Sequence, residues 1–167
     1  GNTFVKGARG GVIVMENNLG GVGRLLEFFF NSRIDIQTVS NCSVFANTVQ
    51  HATPGWNAIG INVATGWSAR VYDNVCASNN IGIQVKQFME ESAVHGNVCF
   101  DNGSHGLAVT DAVSCAIYNN TCFRNGGDNL RVEGIVDGAI CHNTLFDSGR
   151  YGLFLNPLSA GLTLFNN

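Results

Sequence analysis

Four charged side chains in the second half of the chain have the types and spacing of a reactive cluster. Asp111 and Glu133 could act as the acid and the base of glycoside hydrolysis if a fold brought both carboxyl groups to one sugar. Alternatively, Lys86 or Arg131 could abstract a proton beside a uronate carboxylate while neighbouring cations stabilise the charge that develops. Ordinary cross-strand ion pairing would also explain these residues. The elements that position them therefore decide their role.

The composition favours one folded, turn-rich domain over residues 1–167. The 167 residues carry a net charge of −3, with 13% charged and 45% hydrophobic residues, which excludes a disordered chain. Glycine and asparagine each occur 21 times, so about a quarter of the chain consists of residues that favour bends. No apolar run approaches the roughly 18 residues of a membrane-spanning helix. The weakly acidic balance predicts no nucleic-acid partner and no binding to an anionic membrane.

Asparagines recur along the chain with a period of 23 residues. The segment Asn74–Ala77 recurs in similar form at 97–100, 120–123 and 143–146, which indicates an internal repeat. One interval is expanded to 33 residues, between Asn41 and Asn74, and predicts a loop insertion at about residues 47–59. The predicted ladder positions are Asn18, Asn41, Asn74, Asn97, Asn120, Asn143 and Asn167.

Each repeat is predicted to contain two or three short strands joined by bends. A glycine followed by an apolar/x/apolar pattern marks one strand, and a second strand ends just before each ladder asparagine. Stacked repeats form a solenoid of about seven coils, with equivalent residues about 4.8 Å apart. Stacked asparagines can hydrogen-bond to one another and to the bend backbone. The inward positions include a column of thiols that we expect to pack as small hydrophobes: Cys76, Cys99 and Cys122.

These repeats resemble those of the right-handed parallel β-helix proteins of the pectin-lyase-like superfamily, from about Gly11 to Asn167. Proteins of that superfamily have three parallel strands per coil and an asparagine ladder at one bend. A leucine-rich repeat has a similar period, but the chain holds only 11 leucines and the Gly-Leu-x-Val strand has no place in that repeat. The resemblance therefore implies an all-β, right-handed parallel β-helix.

The resemblance also implies a site on the outer face of one sheet, where a long oligosaccharide crosses several rungs. The outward positions two residues after each glycine site are Phe29, Asn62, Gln84, Ala108, Arg131 and Phe154. Those four residues after it are Asn31, Ala64, Lys86, Thr110, Glu133 and Asn156. Lys86, Asp111, Arg131 and Glu133 are thus catalytic candidates on three successive rungs. The candidates for substrate binding are Gln84, His105, Asn156 and Trp56, the last as a sugar-stacking platform in the 47–59 insertion.

No motif in the sequence assigns a particular activity. Ser104-His105-Gly106 is similar to the Gly-His-Gly element of polygalacturonases, but the first residue differs and the accompanying Asp motifs are missing. The acidic cluster of calcium-dependent pectate lyases and the paired-acid-and-His pattern of alginate epimerases are absent too. Because His51, His105 and His142 occupy different register positions, no metal triad and no cofactor are predicted.

Three functions remain open. The first is a carbohydrate-associated protein that binds or cleaves a polysaccharide along an outer sheet face, and whether it is an enzyme is left open. The second is a non-catalytic structural or assembly module, and the third is a separate protein that forms homo-oligomers through its open solenoid ends. An outer, mainly aromatic stripe could bind sugar or a neighbouring subunit; it stands two residues before the ladder asparagines, at Tyr72, His95, Tyr118, Cys141 and Phe165. The resemblance favours an extracellular or cell-surface location, although the sequence contains no signal-peptide pattern. We expect the chain either to be a fragment of a longer solenoid or to dock through its ends onto another chain.

Overall fold

A computed structural model describes residues 3–5, 12–15, 34–50 and 58–167. Within these ranges the chain forms strands and no helix, so no described helix is long and apolar enough to cross a membrane. In chain order the strands are β1 (Thr3–Val5), β2 (Val12–Met15), β3 (Ile34–Ser40), β4 (Ser43–Phe45), β5 (Thr48–Gln50), β6 (Ile59–Trp67), β7 (Arg70–Tyr72), β8 (Val75–Ala77), β9 (Ile81–Glu90), β10 (Ala93–His95), β11 (Val98–Phe100), β12 (Leu107–Val113), β13 (Ala116–Tyr118), β14 (Thr121–Phe123), β15 (Leu130–Glu133), β16 (Ala139–Cys141), β17 (Thr144–Phe146), β18 (Leu153–Leu155) and β19 (Thr163–Phe165).

The strands form three parallel sheets that run the length of a solenoid. Sheet 1 has the order β18-β15-β12-β9-β6-β3-β2, sheet 2 the order β19-β16-β13-β10-β7-β4, and sheet 3 the order β1-β5-β8-β11-β14-β17. Each coil contributes one strand to each sheet, and the described residues include five complete coils with parts of others on either side. The expected all-β parallel β-helix is confirmed.

The core consists of side chains that point inward from all three sheets. The residue three positions before each ladder asparagine from Asn74 to Asn143 is buried, as the repeat predicted; Val94, Ile117 and Ile140 have no exposed surface. Leu164, three positions before Asn167, was predicted to point inward as well, but it is 42% exposed in the last coil. The thiols of Cys76, Cys99 and Cys122 form the predicted inward column and are fully buried. Alternation of apolar and polar residues in such short strands is enough to define the inner face, because successive side chains point to opposite faces.

A column of buried asparagine amides joins the coils at the bend between sheets 2 and 3. In Asn97, Nδ2 donates to the carbonyl oxygens of Val71 (2.9 Å) and His95 (3.1 Å) and to Oδ1 of Asn120 (3.0 Å). Its own Oδ1 accepts hydrogen bonds from the backbone N–H and from Nδ2 of Asn74. The same pattern continues to Asn143 and Asn167, so the ladder from Asn74 onward is confirmed. A second buried column begins five residues later, at Asn79, Asn102 and Asn125.

One ladder position predicted from the sequence is wrong. Asn74 accepts hydrogen bonds from the backbone N–H and Nδ2 of Asn47, and not from Asn41. Asn41 is exposed and occupies a left-handed bend, with φ 50°. Asn47 is the ladder residue because it lies between two inward-pointing residues, Val44 and Val49, that are both buried in the core. The sequence favoured Asn41 only because it follows Asn18 by one 23-residue period. The expanded coil therefore spans 27 residues from Asn47 to Asn74.

The difference of six residues between Asn41 and Asn47 recurs in the first rungs of sheet 1. Asp35 and Gln37 pair with Asn62 and Ala64, in the places that the repeat count assigned to Phe29 and Asn31. Phe29 and Asn31 themselves lie outside the described residues. So do residues 51–57, and with them Trp56 and most of the predicted 47–59 insertion.

Left-handed backbone angles turn the chain at the bends, and several of these bends pair an aspartate with a glycine of the next coil. Asp73, Asp111 and Asp137 all have φ between 52° and 53°. Their carboxylate oxygens occupy the space that a Cβ would need on Gly96, Gly134 and Gly161, which also have positive φ. Glycine is therefore required at these positions both by the backbone angle and by the carboxylate of the preceding coil.

We expect Asn97→Ala to lower the free energy of unfolding by about 3 kcal/mol or more, because it leaves several buried donors and acceptors of neighbouring coils without partners. Urea denaturation of the variant and the parent measures this loss. Asn119→Gly is the matched control, because Asn119 is exposed and its positive φ (54°) suits glycine. Equal stability of the two variants would contradict the role assigned to the ladder.

Gly96→Ala should destabilise the protein by at least about 2 kcal/mol, since a methyl group there meets both a left-handed backbone and the carboxylate of Asp73. In the double variant Asp73→Gly/Gly96→Ala only the backbone cost of about 1 kcal/mol should remain. A thermal or urea double-mutant cycle measures this coupling. Strictly additive effects would show that the carboxylate and the glycine do not share this space.

Candidate functional site

The candidate residues lie on the outer face of sheet 1, in two columns that run across the rungs. The first column is defined by the register of β9, β12, β15 and β18 and contains Gln84, Ala108, Arg131 and Phe154. The second contains Lys86, Thr110 and Glu133. Both columns agree with the repeat alignment, so one surface carries the Gln84, Lys86, Arg131 and Glu133 side chains.

The guanidinium of Arg131 is held by three neighbours. Its Nη1 donates to Oδ2 of Asp128 at 2.8 Å and its Nη2 to Oε1 of Glu133 at 2.5 Å. Its Cζ lies 4.3 Å from the centre of the Phe154 ring, which is cation–π contact. Partial burial opposes the charge, but the hydrogen bond to Asp128 and the attraction of Glu133 outweigh it and raise the pKa of Arg131. Arg131 is therefore a cation with a defined orientation.

His105 completes a group of four residues, named here the charged cluster: His105, Asp128, Arg131 and Glu133. The backbone N–H of Asp128 donates to Nδ1 of His105 at 3.1 Å, so the proton of the neutral imidazole is on Nε2. Burial, reinforced by Arg131 and Arg150, lowers the pKa of His105 against the attraction of Asp128. At neutral pH His105 therefore presents an uncharged ring with an Nε2–H donor.

The charged cluster belongs to two adjacent coils. His105 and Asp128 occupy equivalent positions, each two residues before the sheet 1 strand of its coil, and the backbone of Gly106 donates to the carbonyl of Asp128. Ala108 is the short side chain of its column and is only 2% exposed. The accessible surface around it therefore consists of the longer polar side chains on either side.

The remaining candidates do not join the charged cluster directly. Asp111 is exposed at the bend after Thr110, with its Oδ1 over Gly134, the residue that follows Glu133. Lys86 shares the column of Glu133 but lies two rungs away, roughly 10 Å at the usual strand spacing. The side chain of Asn156 accepts a hydrogen bond from the N–H of Leu158 and stabilises a local turn.

Asp128 is a functional candidate that sequence reasoning missed. It lies 23 residues after His105 and three residues before Arg131, so the repeat period places it beside both. Asp128 stands before the glycine-equivalent position of its coil, whereas both outward columns of candidates lie after that position.

The aromatic stripe on sheet 2 exists as predicted but does not form a sugar-stacking platform. The rings of Phe45, Tyr72, His95 and Tyr118 stack nearly parallel, with centroids 4.6 to 5.0 Å apart. Because each ring covers the face of the next, the column presents ring edges outward, whereas a sugar stacks on a ring face. The same holds for Phe100, Phe123 and Phe146 on sheet 3. These columns stabilise the solenoid.

The described residues do not fit a soft metal ion that binds thiolates. The thiol column is fully buried, and a hydrogen bond with Cys99 together with burial raises the pKa of Cys122 well above its ordinary value. Burial raises the pKa of Cys115 to about 12. A thiol must lose its proton to bind a metal. Within the described ranges, no group of three or more His, Cys, Asp or Glu side chains is arranged to hold a metal ion.

Comparison with solved structures shows that the fold is shared with larger proteins. A mutant of the periplasmic alginate epimerase AlgG superposes with a TM-score of 0.70 and 14% identity, over 81% of this chain and 42% of that one. DFA-IIIase from Arthrobacter chlorophenolicus in complex with GF2 gives a TM-score of 0.54 and 13% identity, over 81% of this chain and 32% of that one. At this identity the likeness shows the fold alone, and the chain spans less than half the length of either protein.

Sequence comparison identifies the family. No curated protein sequence matches significantly. A family model described as periplasmic copper-binding protein (NosD) matches residues 2–167. The repeats, the parallel sheets and this match over nearly the whole length show that the chain belongs to the NosD family of β-helix proteins.

Proposed function

We propose that the protein binds a polysaccharide on the outer face of sheet 1, with the charged cluster at the centre of the binding surface. The observation that carries this proposal is the fixed arrangement of a cationic guanidinium, an uncharged imidazole N–H donor and two carboxylates on adjacent rungs. The structural similarity of this chain to the alginate epimerase and to DFA-IIIase also supports a saccharide as the ligand.

The chemistry of the charged cluster suits a ligand rich in oxygen atoms. Arg131 and the Nε2–H of His105 can donate to hydroxyl, ring or carboxylate oxygens, while Glu133 and Gln84 can accept from hydroxyl groups. Because parallel strands repeat about every 4.8 Å, an extended saccharide that crosses the rungs can contact several of them at once. The outer face of sheet 1 can therefore make more contacts with an extended polymer than with a small compact ligand.

The states of Arg131 and Glu133 favour binding over catalysis. Arg131 is held as a cation, which suits it to stabilise negative charge and not to abstract a proton, and the Glu133 carboxylate is engaged as its ion-pair partner. Catalytic roles for Lys86, Asp111 and Glu133 remain hypotheses. Turnover assays on the binding-competent protein address them.

The family description names copper, but the proposal involves no metal. The donors present in the described residues do not fit that ion: burial raises the pKa of the Cys115 thiol, a hydrogen bond with Cys99 and burial raise that of Cys122, and no group of three or more His, Cys, Asp or Glu side chains is arranged to hold a metal ion. Saccharide binding is therefore expected to be independent of copper and of chelators.

The first experiment measures binding to alginate, polygalacturonate and a neutral glucan by affinity electrophoresis and titration calorimetry. We expect at least one of them to bind, and Arg131→Ala to weaken that binding by roughly tenfold or more, because it removes a charge-assisted donor at the centre of the surface. The same samples are assayed for unsaturated products and reducing ends, with Asp111→Ala and Glu133→Ala as further variants.

Arg124→Ala is the matched control for the loss of an arginine. Arg124 also pairs with an aspartate and contacts a phenylalanine ring, but it follows strand β14 of sheet 3. Binding should survive this substitution. Failure of every polysaccharide to bind, or equal losses in the two arginine variants, would contradict the proposal and favour the non-catalytic assembly module.

The lowered pKa of His105 predicts a pH dependence of stability. In the folded state the pKa of His105 lies below its ordinary value of 6.5, so on acidification the unfolded chain takes up the proton first. The free energy of unfolding therefore falls as the pH drops from 6.5 through the pKa of the folded state. Urea unfolding between about pH 8 and about pH 5 measures this slope. In His105→Asn, which keeps an acceptor near the Nδ1 position without titrating, the slope should be smaller. Identical slopes would show that His105 titrates normally.

A further inference from the structure

The carboxylate of Asp128 is unusual among the acidic groups of the described residues. Its side chain is fully buried, and its Oδ2 accepts a hydrogen bond from Arg131. The other oxygen, Oδ1, has no hydrogen-bond partner in the part of the chain that the structure describes. Burying a carboxylate is costly unless its acceptors are satisfied, and an ion pair kept for stability alone would satisfy both oxygens.

The pair between Asp101 and Arg124 provides the contrast. There both carboxylate oxygens accept hydrogen bonds, from Nε at 2.7 Å and from Nη2 at 2.9 Å, and both side chains are largely exposed. That pair costs little to form and is fully satisfied. Asp128 is instead buried beneath the surface and only half satisfied, while it contacts two groups that face outward.

Asp128 reaches both outward-facing groups of the proposed binding surface. Its Oδ2 fixes Nη1 of Arg131, and the same oxygen lies 3.6 Å from Nδ1 of His105. The carboxylate thereby determines which way the guanidinium fork points: one arm is held by Asp128, the other by Glu133, and the ring of Phe154 lies against Cζ. It also places a negative charge beneath the imidazole.

We propose that Asp128 is the positioning residue of the sheet 1 surface, and that its buried carboxylate orients Arg131 and sets the electrostatic environment of His105 for a saccharide ligand. This inference rests on the proposed function. Asp128 acts through Arg131 and His105 and lies beneath the ligand. Leaving Oδ1 of Asp128 without a hydrogen bond costs free energy. In return, a buried negative charge is only weakly screened by solvent and acts strongly on its neighbours.

The first test is the titration of His105 in the full chain, followed by NMR in the parent and in Asp128→Asn. The charged groups that act on this ring are Asp128, Arg131, Arg150 and Glu133. Removing the carboxylate removes an attraction for the imidazolium, so the pKa of His105 should fall further below 6.5. A looser, more hydrated surface would move that pKa upward instead. An upward shift or no shift would overturn the proposal.

The second test is a double-mutant cycle on binding of the polysaccharide that the parent protein binds. Asp128→Asn should weaken binding by roughly tenfold, and the loss in Asp128→Asn/Arg131→Ala should be clearly smaller than the product of the two single losses, because much of the effect of Asp128 passes through Arg131 and the rest through His105. Asp101→Asn, which breaks the exposed pair elsewhere on the solenoid, should leave binding unchanged. Additive losses for Asp128 and Arg131 would show that the aspartate does not act through the arginine.

A measurement on the unmodified protein covers the case in which Asp128→Asn does not fold. Side-chain relaxation of the Arg131 Nε–H should show a restrained group, whereas an order parameter below about 0.6, in the flexible range, would overturn the proposal. If the parent binds none of the saccharides, the proposed function fails, and the titration and the relaxation measurement still decide whether Asp128 positions Arg131 and His105.

Discussion

The structure depends on the hydrogen bonds that the buried ladder asparagines make between coils. Each side-chain amide has two donors and an acceptor, and none can reach water, so every one must find a partner in its own coil or in the next. This requirement is met only when successive coils place their asparagines in the same register. The register between successive coils follows from that constraint, whereas coil length can vary, as it does between Asn47 and Asn74.

A ladder with constant spacing makes the outer surface a regular grid. Rows of the grid are strands, and columns are residues one coil apart, so two residues 23 positions apart become neighbours. The charged cluster is such a case: His105 and Asp128 come from adjacent coils, and Arg131 and Glu133 share the rung of Asp128. A site of this kind needs no loop and no pocket, which suits an extended polymer as ligand.

The same grid accounts for the differences between columns that look alike in sequence. Columns made of aromatic rings stack and stabilise the solenoid, whether the rings are identical, as in Phe100, Phe123 and Phe146, or different, as in Tyr72, His95 and Tyr118. A column that also contains aliphatic and flexible polar side chains cannot stack continuously, and its polar groups remain available for other contacts. The column from Gln84 through Ala108 to Arg131 and Phe154 is mixed, and it is there that an outward cation is held in a defined orientation.

The sequence by itself determined the fold class, the period, the inward columns and the two outward columns of sheet 1, because alternation and repetition are local properties of the chain. It did not determine the register of the first complete coil: Asn41 and Asn47 both fit a local asparagine pattern, and only pairing with Asn74 distinguishes them. The tertiary structure alone decided that Asp128 lies beneath Arg131 and His105, because burial and ion pairing depend on which side chains meet across adjacent rungs.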